Sequence, residues 1–487
     1  MTEIIFLILF GLLLSGILLF CLLELPLAFH YLKYRKRKKL EPNLELDDTD
    51  LPMVTVQLPV FNEMYVVERL IHCICRFDYP KDKMEIQILD DSTDETLEIS
   101  EQQASHYKNL GFDIKVIHRI DRTGYKAGAL QNGLNQCKGA FIAIFDADFL
   151  PTPDFLHKTL PHFTDEKIGL VQTRWGHINK NYSLLTKIQA FFLDAHFTVE
   201  QAGRFSQSYF MNFNGTAGIW RKTTIQDAGG WQADTLTEDL DLSYRAQLKG
   251  WKFQYLEEVI SPAELPADMP SFKSQQFRWI KGGAEVARKI LPQVFSSNQP
   301  FQVKKNALTH LMSSSVYILI FLLTLVSLPM LWLKNTYIPI EYNQWGFPFL
   351  FSTIAVIFYF YSANKENLIN TKGWLNYIFL LPLFLITTIG LSLHNGIAAF
   401  RGLMREHTPF IRTPKMNILT KKDNWKSKQY LSKKIKPITI LEGLLSISFF
   451  LGMWLAFEKN DFSFFPLHLM AFLGYGLVFF YSIRHAR

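Results

Sequence analysis

Residues 140–149 read AFIAIFDADF, an apolar run that ends in two aspartates, Asp146 and Asp148. A short, continuous apolar run bounded by polar residues is typical of a fully buried strand. Ligands of open α/β sheets bind outside the carboxyl ends of the strands, so both carboxylates are expected to face that crevice. A hard divalent cation held there would complete its shell with phosphate oxygens and water. The stretch therefore predicts either a metal–diphosphate site or a loop with two solvated acids.

Predicted strands and helices alternate along the chain on both sides of this stretch. The predicted strands are residues 54–60, 85–89, 113–118, 140–145 and 170–175, and the predicted helices are 62–77, 94–110, 127–135, 184–204 and one that begins near residue 270. Such alternation indicates a mostly parallel sheet. No Gly-x-Gly-x-x-Gly element follows the first strand, which disfavours a dinucleotide-binding fold. We expect one α/β domain over residues 51–290.

Polar residues follow three of these strands. Asn62 and Glu63 come after the first strand, Asp90 and Asp91 after the second, and the two aspartates after the fourth. Because the carboxyl ends of parallel strands share one edge of the sheet, these side chains are expected to converge on one ligand site. A single acidic strand end is often only a helix cap, which is the other interpretation of Asp91.

Two later segments place polar side chains on predicted helices. The sequence Thr-Glu-Asp at 237–239 opens one helix, where acids are commonly partners of the helix dipole. Gln275, Arg278 and Trp279 lie on the helix that begins near residue 270. Both segments have a structural interpretation as well as a functional one, since an Arg-Trp pair is often a packed surface edge.

The composition predicts a protein that is part membrane-embedded and part globular. Apolar residues make up 48% of the 487, with 42 Phe, and the net charge is +7. The apolar run 4–29 is long enough to cross a bilayer. It is preceded by Met-Thr-Glu and followed by a basic cluster at 33–39, which disfavours a cleaved signal peptide and predicts a cytoplasmic end. We expect a transmembrane helix at 1–30 and a basic and polar linker at 31–50.

After Pro300 the chain is predicted to return to the membrane. The expected segments are an interfacial connector at 291–307, two transmembrane helices within 308–363, interfacial or re-entrant helices at 374–400, a basic loop at 401–437 and two transmembrane helices within 438–487. The loop carries eleven Lys and Arg against two acids, which predicts a cytoplasmic position. A third full crossing before the loop would put it outside, so helices broken near Pro382 are expected at 374–400. This gives five crossings, with six as the alternative, and it assigns the basic clusters to membrane edges rather than to nucleic acid.

The order of these motifs resembles the processive, membrane-embedded members of glycosyltransferase family 2, among them the cellulose, mannan and hyaluronan synthases. The shared elements are Asp90-Asp91, Asp146-x-Asp148, Thr237-Glu238-Asp239 and Gln275-x-x-Arg278-Trp279. Further runs, similar to the plant cellulose synthase-like A and C branches, are LDDSTD at 89–94, GYKAGAL at 124–130, HFTVEQ at 196–201 and FNGTAGIWR at 213–221. The length and the lack of plant features point to a bacterial relative, similar also to bacterial cellulose synthase catalytic subunits.

The resemblance implies an α/β domain of the GT-A type, which binds a nucleotide sugar, inserted in a bundle of transmembrane helices with interfacial helices. The donor-nucleotide contacts that it implies are Asn62, Glu63, Asp90, Asp91, Lys126 and Asp146. It further implies Mg²⁺ or Mn²⁺ on Asp146 and Asp148, Asp239 as general base, and diphosphate or acceptor contacts by Glu238, Gln275, Arg278 and Trp279. Within the basic loop, Phe410, Thr413 and Lys415 resemble a gating loop, with Arg412 where cellulose synthases carry an apolar residue.

The implied function is inverting, metal-dependent and processive transfer from a nucleotide-diphosphate sugar to a growing β-linked mannan, glucomannan or glucan. GDP-mannose, GDP-glucose and UDP-glucose all fit as donors. The enzyme is expected in the bacterial inner membrane, with its catalytic domain in the cytoplasm, and is expected to move the glycan across the bilayer. Single transfer to a membrane lipid, either ceramide-like or a polyprenyl phosphate, is the alternative, and a non-catalytic binding module is the third interpretation.

Overall fold

The computed structural model of the chain describes residues 2–38, 51–337, 346–430 and 435–486. Its centre is one seven-stranded sheet. The strands are β1 (Val54–Val60), β2 (Met84–Asp90), β3 (Asp113–His118), β4 (Phe141–Ile144), β5 (Ile168–His177), β6 (Gly218–Arg221) and β7 (Lys252–Ala263), in the spatial order β3-β2-β1-β4-β6-β5-β7. Strand β6 runs antiparallel to both neighbours, and the other pairings are parallel. The predicted α/β domain with a mostly parallel sheet is therefore confirmed.

Helix α1 (Thr2–Lys38) precedes the sheet, and the domain adds nine further helices in the described part of residues 51–296. They are α2 (Val67–Ile74), α3 (Thr96–Asn109), α4 (Tyr125–Leu134), α5 (Phe155–Thr159), α6 (Leu184–Ala195), α7 (Gln201–Ser206), α8 (Lys222–Asp227), α9 (Glu238–Leu248) and α10 (Met269–Ser296). The helix predicted from residue 62 begins only at Val67, because Asn62 adopts a φ of 55° that no right-handed helix contains. The single helix predicted at 184–204 is interrupted by a π-helical turn, His196–Glu200, between α6 and α7.

Strand β4 shows how the sheet is packed. Its Ala143 belongs to the hydrophobic cluster on one face, whereas Ile142 and Ile144 belong to the cluster on the other, because side chains alternate along a strand. Burial on both faces explains why this strand is continuously apolar. The second cluster also contains Leu27 and Tyr31 of α1, so the first helix packs directly on the domain.

Apolar helices follow the domain. They are α11 (Phe301–Met312), α12 (Val316–Tyr337), α13 (Gly346–Asn364), α14 (Thr371–Leu403), α15 (Pro437–Glu458) and α16 (Phe465–His485). Within the described residues, five helical segments are long and apolar enough to cross a membrane: Ile4–Arg37, Phe301–Leu333, Thr371–Leu403, Pro437–Glu458 and Phe465–His485. Helix α13 is a further helix of 19 residues without an acidic or basic side chain.

Helix α14 differs from the expectation for its segment. It is one continuous helix of 33 residues, not a set of helices broken near Pro382. A proline inside a helix removes one backbone hydrogen bond and crowds the carbonyl group four residues earlier. Here the flanking Leu381 and Phe384 pack against the second hydrophobic cluster of the domain, and this contact offsets the loss.

Both ends of α14 contact the domain. Towards its start, the rings of Tyr377 and Phe384 each lie 6.1 Å from that of Phe191 in α6. At its end, a Cβ added to Gly402 would lie 2.5 Å from the carbonyl oxygen of Lys281 in α10. Helix α14 therefore lies along the domain over most of its length.

Helices α14 and α16 cross backbone against backbone. A Cβ added to Gly390 would lie 2.2 Å from the carbonyl oxygen of Gly474, and one added to Gly474 would lie 2.3 Å from that of Ile386. Small residues at a crossing allow such close approach between helices. No larger side chain fits at either glycine without moving one helix.

Candidate active site

A cleft opens at the carboxyl ends of β1, β2 and β4 and encloses about 1190 Å³, including space open to solvent. All but two of the residues predicted from the sequence line it. They are Glu63, Asp91, Lys126, Asp146, Asp148, Glu238, Asp239, Gln275, Arg278, Trp279, Phe410, Thr413 and Lys415. The strand ends, helix α10 and the basic loop thus meet in one place. Asn62 and Asp90 lie outside the lining.

These two residues hold the loops after β1 and β2 together. Asp90 is fully buried, accepts hydrogen bonds from the Ser92 backbone at 3.0 Å and hydroxyl at 2.9 Å, and contacts His118 Nδ1 at 2.9 Å. Asn62 accepts from the Thr93 backbone at 2.8 Å, and its own N–H donates to Ser92 Oγ at 2.9 Å. Asp90 therefore acts on the cleft through the loop that it supports, rather than from inside it.

Two arginines that sequence reasoning missed shape the same end of the cleft. Arg119 donates from Nε and Nη2 to the two carboxylate oxygens of Asp91, at 2.8 and 2.6 Å. The Arg122 guanidinium lies 3.3 Å from the ring centre of Phe61. Asp91 is thus a bidentate ion-pair partner and not a helix cap. No motif in the sequence identifies these arginines. The Arg119–Asp91 pair joins residues at the ends of two neighbouring strands, which are far apart along the chain.

Lys126 joins three parts of the cleft. Its ammonium group donates to Asp146 Oδ1 at 2.5 Å and to the carbonyl oxygen of Gly215 at 2.7 Å. Gly215 has a φ of +77°, and a Cβ added to it would lie 2.9 Å from Asp239 Oδ2. Only glycine combines this backbone conformation with such close approach. The turn at Gly215 therefore brings Asp146, Lys126 and Asp239 together.

Asp239 lies in the first turn of α9. Its Oδ1 accepts a hydrogen bond from the Leu240 backbone at 2.8 Å. Burial and the neighbouring Glu238 carboxylate raise the pKa of Asp239 to about 7, and the Lys126 ammonium opposes this rise. A carboxylate with a pKa near the working pH is suited to general-base catalysis.

Asp148 retains one unpaired oxygen. Its Oδ2 accepts from Lys415 Nζ at 2.8 Å and from the Glu264 backbone at 3.0 Å. Its Oδ1 is buried and has no hydrogen-bond partner among the described residues. This free oxygen, together with Asp146 two positions earlier, fits one edge of a hard divalent cation. No group of three or more His, Cys, Asp or Glu that could hold a metal occurs in the described part of the chain, so further ligands would come from phosphate or water.

The basic loop lies across the cleft. Phe410 stacks on Tyr125, with ring centres 5.5 Å apart, and the Arg278 guanidinium lies 4.8 Å from the same phenylalanine ring. Arg412 Nη1 lies 3.1 Å from Glu63 Oε1. Burial raises the pKa of Glu63 to about 8, and the Arg412 guanidinium opposes the shift. The loop residue that departs from the cellulose synthase pattern thus forms an ion pair with the end of β1.

Aromatic rings form the opposite end of the cleft. The Trp175 ring lies 6.3 Å from that of Trp279, 5.2 Å from that of Phe149 and 5.0 Å from that of Phe197. Trp175 and His177, two positions later in β5, both line the cleft. Sequence reasoning missed them, although their position at the carboxyl end of β5 was the same signal that identified the acidic strand ends.

A second cavity lies on the other side of α10. Leu236 and Arg278 line both cavities, whereas Ser274 and Phe277 line only the second. The other lining residues of the second cavity are His394, Ile397, Arg401, Thr408, Pro409, Ile411, Lys436, Pro437 and Ile438. Its wall is therefore mostly apolar, with basic and no acidic side chains, and Arg278 stands between the two spaces.

A mostly parallel sheet with carboxylates at its carboxyl edge, a half-buried candidate base and an Arg-Trp helix define a nucleotide-sugar transferase of the GT-A type. The chain belongs to glycosyltransferase family 2: residues 52–282 match the family described as Glycosyltransferase like family 2. It is 35% identical over 440 residues to glucomannan 4-beta-mannosyltransferase 9 of Arabidopsis thaliana, a match covering 87% of this chain and 78% of that protein. Glucomannan 4-beta-mannosyltransferase 2 of the same plant is 44% identical over 269 residues, 53% of this chain and 50% of the relative.

A solved structure supports the fold. The mannosyltransferase PcManGT from Pyrobaculum calidifontis, in complex with GDP-Man and Mn²⁺, aligns with a TM-score of 0.54 at 18% sequence identity, covering 81% of this chain and all of that one. The predicted resemblance to cellulose synthase-like A enzymes and the GT-A fold class are thereby confirmed. The protein is a family 2 hexosyltransferase with helices that could span a membrane.

Proposed function

We propose that this enzyme is an inverting, metal-dependent synthase that extends a β-linked mannan or glucomannan processively from GDP-mannose. The observation that carries the proposal is Asp239, a half-buried carboxylate with a pKa raised to about 7, beside the Lys126–Asp146 pair and in the same cleft as Trp279. The names of the plant relatives support mannose as the sugar. GDP-glucose and UDP-glucose remain the other donors to test.

Asp239 would remove the proton from the acceptor hydroxyl as that oxygen attacks the anomeric carbon. One base and one direct displacement invert the anomeric centre, so an α-linked donor gives a β-linked product. General-base assistance of this kind contributes about 10²–10⁴-fold to the rate. Trp279 and Trp175 would offer flat apolar faces to the acceptor sugars, in the same cleft as the base.

Asp146 and Asp148 would hold the divalent cation, and the unpaired Oδ1 of Asp148 supports that assignment. When bound, the cation supplies positive charge to the leaving diphosphate. Lys126 and Arg278 are the protein cations placed to stabilise the same developing charge. Arg278 is suited to this role because no ion pair or hydrogen bond engages its guanidinium among the described residues.

We place the domain and the basic loop in the cytoplasm, at the bacterial inner membrane. The Lys415–Asp148 contact holds the loop on the domain, so an even number of α12, α13 and α14 would cross the bilayer. The contacts of α14 with α6 and α10 favour α12 and α13 as that pair and α14 as an interfacial helix. With α1, α15 and α16 this gives five crossings, and the basic loop satisfies the positive-inside rule.

The lining of the second cavity is compatible with two different kinds of acceptor. It continues from Arg278 towards the start of α15, which supports passage of a growing glycan into the membrane region. Its apolar wall and its basic side chains, Arg401 and Lys436, equally suit a lipid phosphate with an apolar tail. Single transfer to a polyprenyl phosphate or a ceramide-like lipid is therefore the second candidate function.

The test is a donor screen on the full chain, purified in detergent with Mn²⁺. Radiolabelled GDP-mannose, GDP-glucose and UDP-glucose are offered with mannan oligosaccharides or with polyprenyl phosphate, and products are sized by gel filtration. The proposal expects a polymer from GDP-mannose that a β-mannanase digests. A product of one sugar on lipid would replace it with the second candidate, and Asp239→Asn is the matched inactive control.

A further inference from the structure

The π-helical turn His196–Glu200 carries polar contacts that the transfer chemistry does not use. Such turns occur frequently at functional sites. The imidazole of His196 bridges two partners: its Nδ1 lies 2.8 Å from Glu200 Oε2, and its Nε2 lies 3.0 Å from Asn214 Oδ1. Asn214 lines the catalytic cleft. His196 therefore connects the π-helical turn to a residue that lines the cleft.

Asn214 is the residue before the glycine that brings the catalytic groups together. Its backbone N–H donates to Gln172 Oε1 at 3.1 Å, and Asn212 Nδ2 donates to its Oδ1 at 2.9 Å. The next carbonyl oxygen, that of Gly215, accepts from Lys126 at 2.7 Å. A shift of Asn214 would therefore move Gly215, where an added Cβ would lie 2.9 Å from Asp239 Oδ2.

The same contacts continue outwards to the first apolar helix. Arg204 of α7 is almost fully buried and lies 3.2 Å from Glu200 and 3.5 Å from Glu24 of α1. Neither carboxylate oxygen of Glu24 has a hydrogen-bond partner among the described residues. The helices meet closely here, since a Cβ added to Gly203 would lie 2.9 Å from the Leu27 carbonyl oxygen. An ionisable residue inside an apolar membrane helix is costly and is a functional candidate for that reason.

We propose that His196 is a positioning residue for glycosyl transfer, which fixes Asn214 in the cleft and is itself set, through Glu200 and Arg204, by Glu24 of the membrane helix α1. A purely structural role does not account for these groups, because apolar residues of similar size are often as stable as a buried ion pair. The connected charges instead specify one arrangement of the cleft turn. The inference rests on the transferase activity in the proposed function but not on the identity of the donor.

The test compares His196→Ala, His196→Gln, Glu24→Gln and the double variant His196→Ala/Glu24→Gln in the full chain in detergent. Hydrogen exchange of the peptide that covers residues 212–218 reports the cleft turn without any substrate. His196→Ala and Glu24→Gln are each expected to accelerate this exchange and to lower kcat about ten- to a hundredfold, because small displacements of positioned groups carry such a cost. The donor KM is expected to stay within twofold. His196→Gln, which keeps one donor towards Asn214, should recover part of the loss.

The two sites are expected to act as one unit, so the double variant should be no slower than His196→Ala alone. His106→Ala, at an exposed position of α3, is the matched control and should change neither readout. Unchanged exchange and kcat in His196→Ala and Glu24→Gln would overturn the inference, as would effects that simply multiply. If His196→Ala does not fold, His196→Gln and Glu24→Gln carry the comparison. If no donor supports turnover, the proposed function fails, while the exchange measurement still decides this inference.

Discussion

Lys415 Nζ lies 2.8 Å from Asp148 Oδ2, although 267 positions separate the two residues in the chain. The contact places a side-chain cation on the carboxylate that is proposed to hold a metal. It also closes the basic loop over the cleft, with Arg412 paired to Glu63 beside it. The position of the loop and the proposed binding of a cation would therefore depend on the same carboxylate.

Lys415→Met is expected to raise the affinity of the donor-free enzyme for Mn²⁺ by about fivefold, which corresponds to roughly 1 kcal/mol for one ion pair. The reason is that the substitution removes a cation from Asp148 and leaves Oδ2 with the Glu264 backbone N–H as its remaining partner. Titration calorimetry with Mn²⁺ measures this, and Lys421→Met, an exposed position of the same loop, serves as control. Weaker Mn²⁺ binding in Lys415→Met would contradict the competition.

Asp239→Asn is expected to fold and to bind GDP as the wild type does, but to lose at least about 100-fold in kcat, since an amide cannot accept the proton. Sugar transfer is measured with radiolabelled donor, and nucleotide binding by calorimetry on the same preparation. Turnover at the wild-type rate would exclude Asp239 as the base.

The activity should depend on pH through the ionised form of Asp239. Because the pKa of this carboxyl is raised to about 7, kcat/KM is expected to fall tenfold per pH unit below that value and to level off above it. Glu238→Gln removes the neighbouring negative charge, which lowers the pKa of Asp239 and moves the acid limb to lower pH. Glu95→Gln, exposed and outside the cleft, should leave the limb in place, and an unmoved limb in Glu238→Gln would count against this assignment.

Gly215→Ala is expected to abolish transfer, because the added methyl would lie 2.9 Å from Asp239 Oδ2 at a φ of +77°. Gly250→Ala is a matched control, with a φ of +91° and nothing within 4 Å of the added carbon. The control should show only the backbone cost of about 1–2 kcal/mol in unfolding free energy and keep its kcat. Equal activities in the two variants would show that the close approach at Gly215 is unimportant.

Lys273 of α10 and Glu442 of α15 form a buried ion pair, with Nζ 2.7 and 2.8 Å from the two carboxylate oxygens. Lys273→Met should destabilise the protein by about 3–5 kcal/mol, because it leaves a buried carboxylate without its partner. The double variant Lys273→Met/Glu442→Leu should recover most of that loss. Thermal unfolding in detergent measures the stability of both variants. A double variant as unstable as Lys273→Met would contradict the explanation that the unpaired Glu442 carboxylate causes the loss.

Much of the domain could be predicted from local patterns. Strands β1 and β3 begin and end at the predicted residues, because apolar side chains recur along both segments between turn residues, which is visible in the sequence itself. The convergence of the polar residues after β1, β2 and β4 could also be predicted, since parallel topology brings these strand ends together. The helix through 371–403 was predicted less well, because the effect of Pro382 depends on packing against α6 that no periodicity reveals.

The parts that were missed depend on tertiary contacts. Arg119 pairs with Asp91 across neighbouring strands, and Trp175 becomes part of the cleft only when β5 lies beside β7 and α10 crosses above it. The π-helical turn at His196–Glu200 was interpreted as ordinary helix, since one inserted residue leaves the apolar pattern almost unchanged. Its polar residues were recognisable only as a similarity to relatives, without a physical role.

The glycine crossing of α14 and α16 has a consequence for the order of biosynthesis. Helix α14 contacts both α6 and α10. Its position is fixed by the close approach of Gly390 to Gly474 in α16. Residues 465–485 are synthesised after every other described helix, so this contact forms only once they have left the ribosome and entered the bilayer. A ribosome-bound chain that already carries all the cleft residues therefore still lacks the α14–α16 contact. Sugar transfer is therefore expected to begin only after α16 has been synthesised.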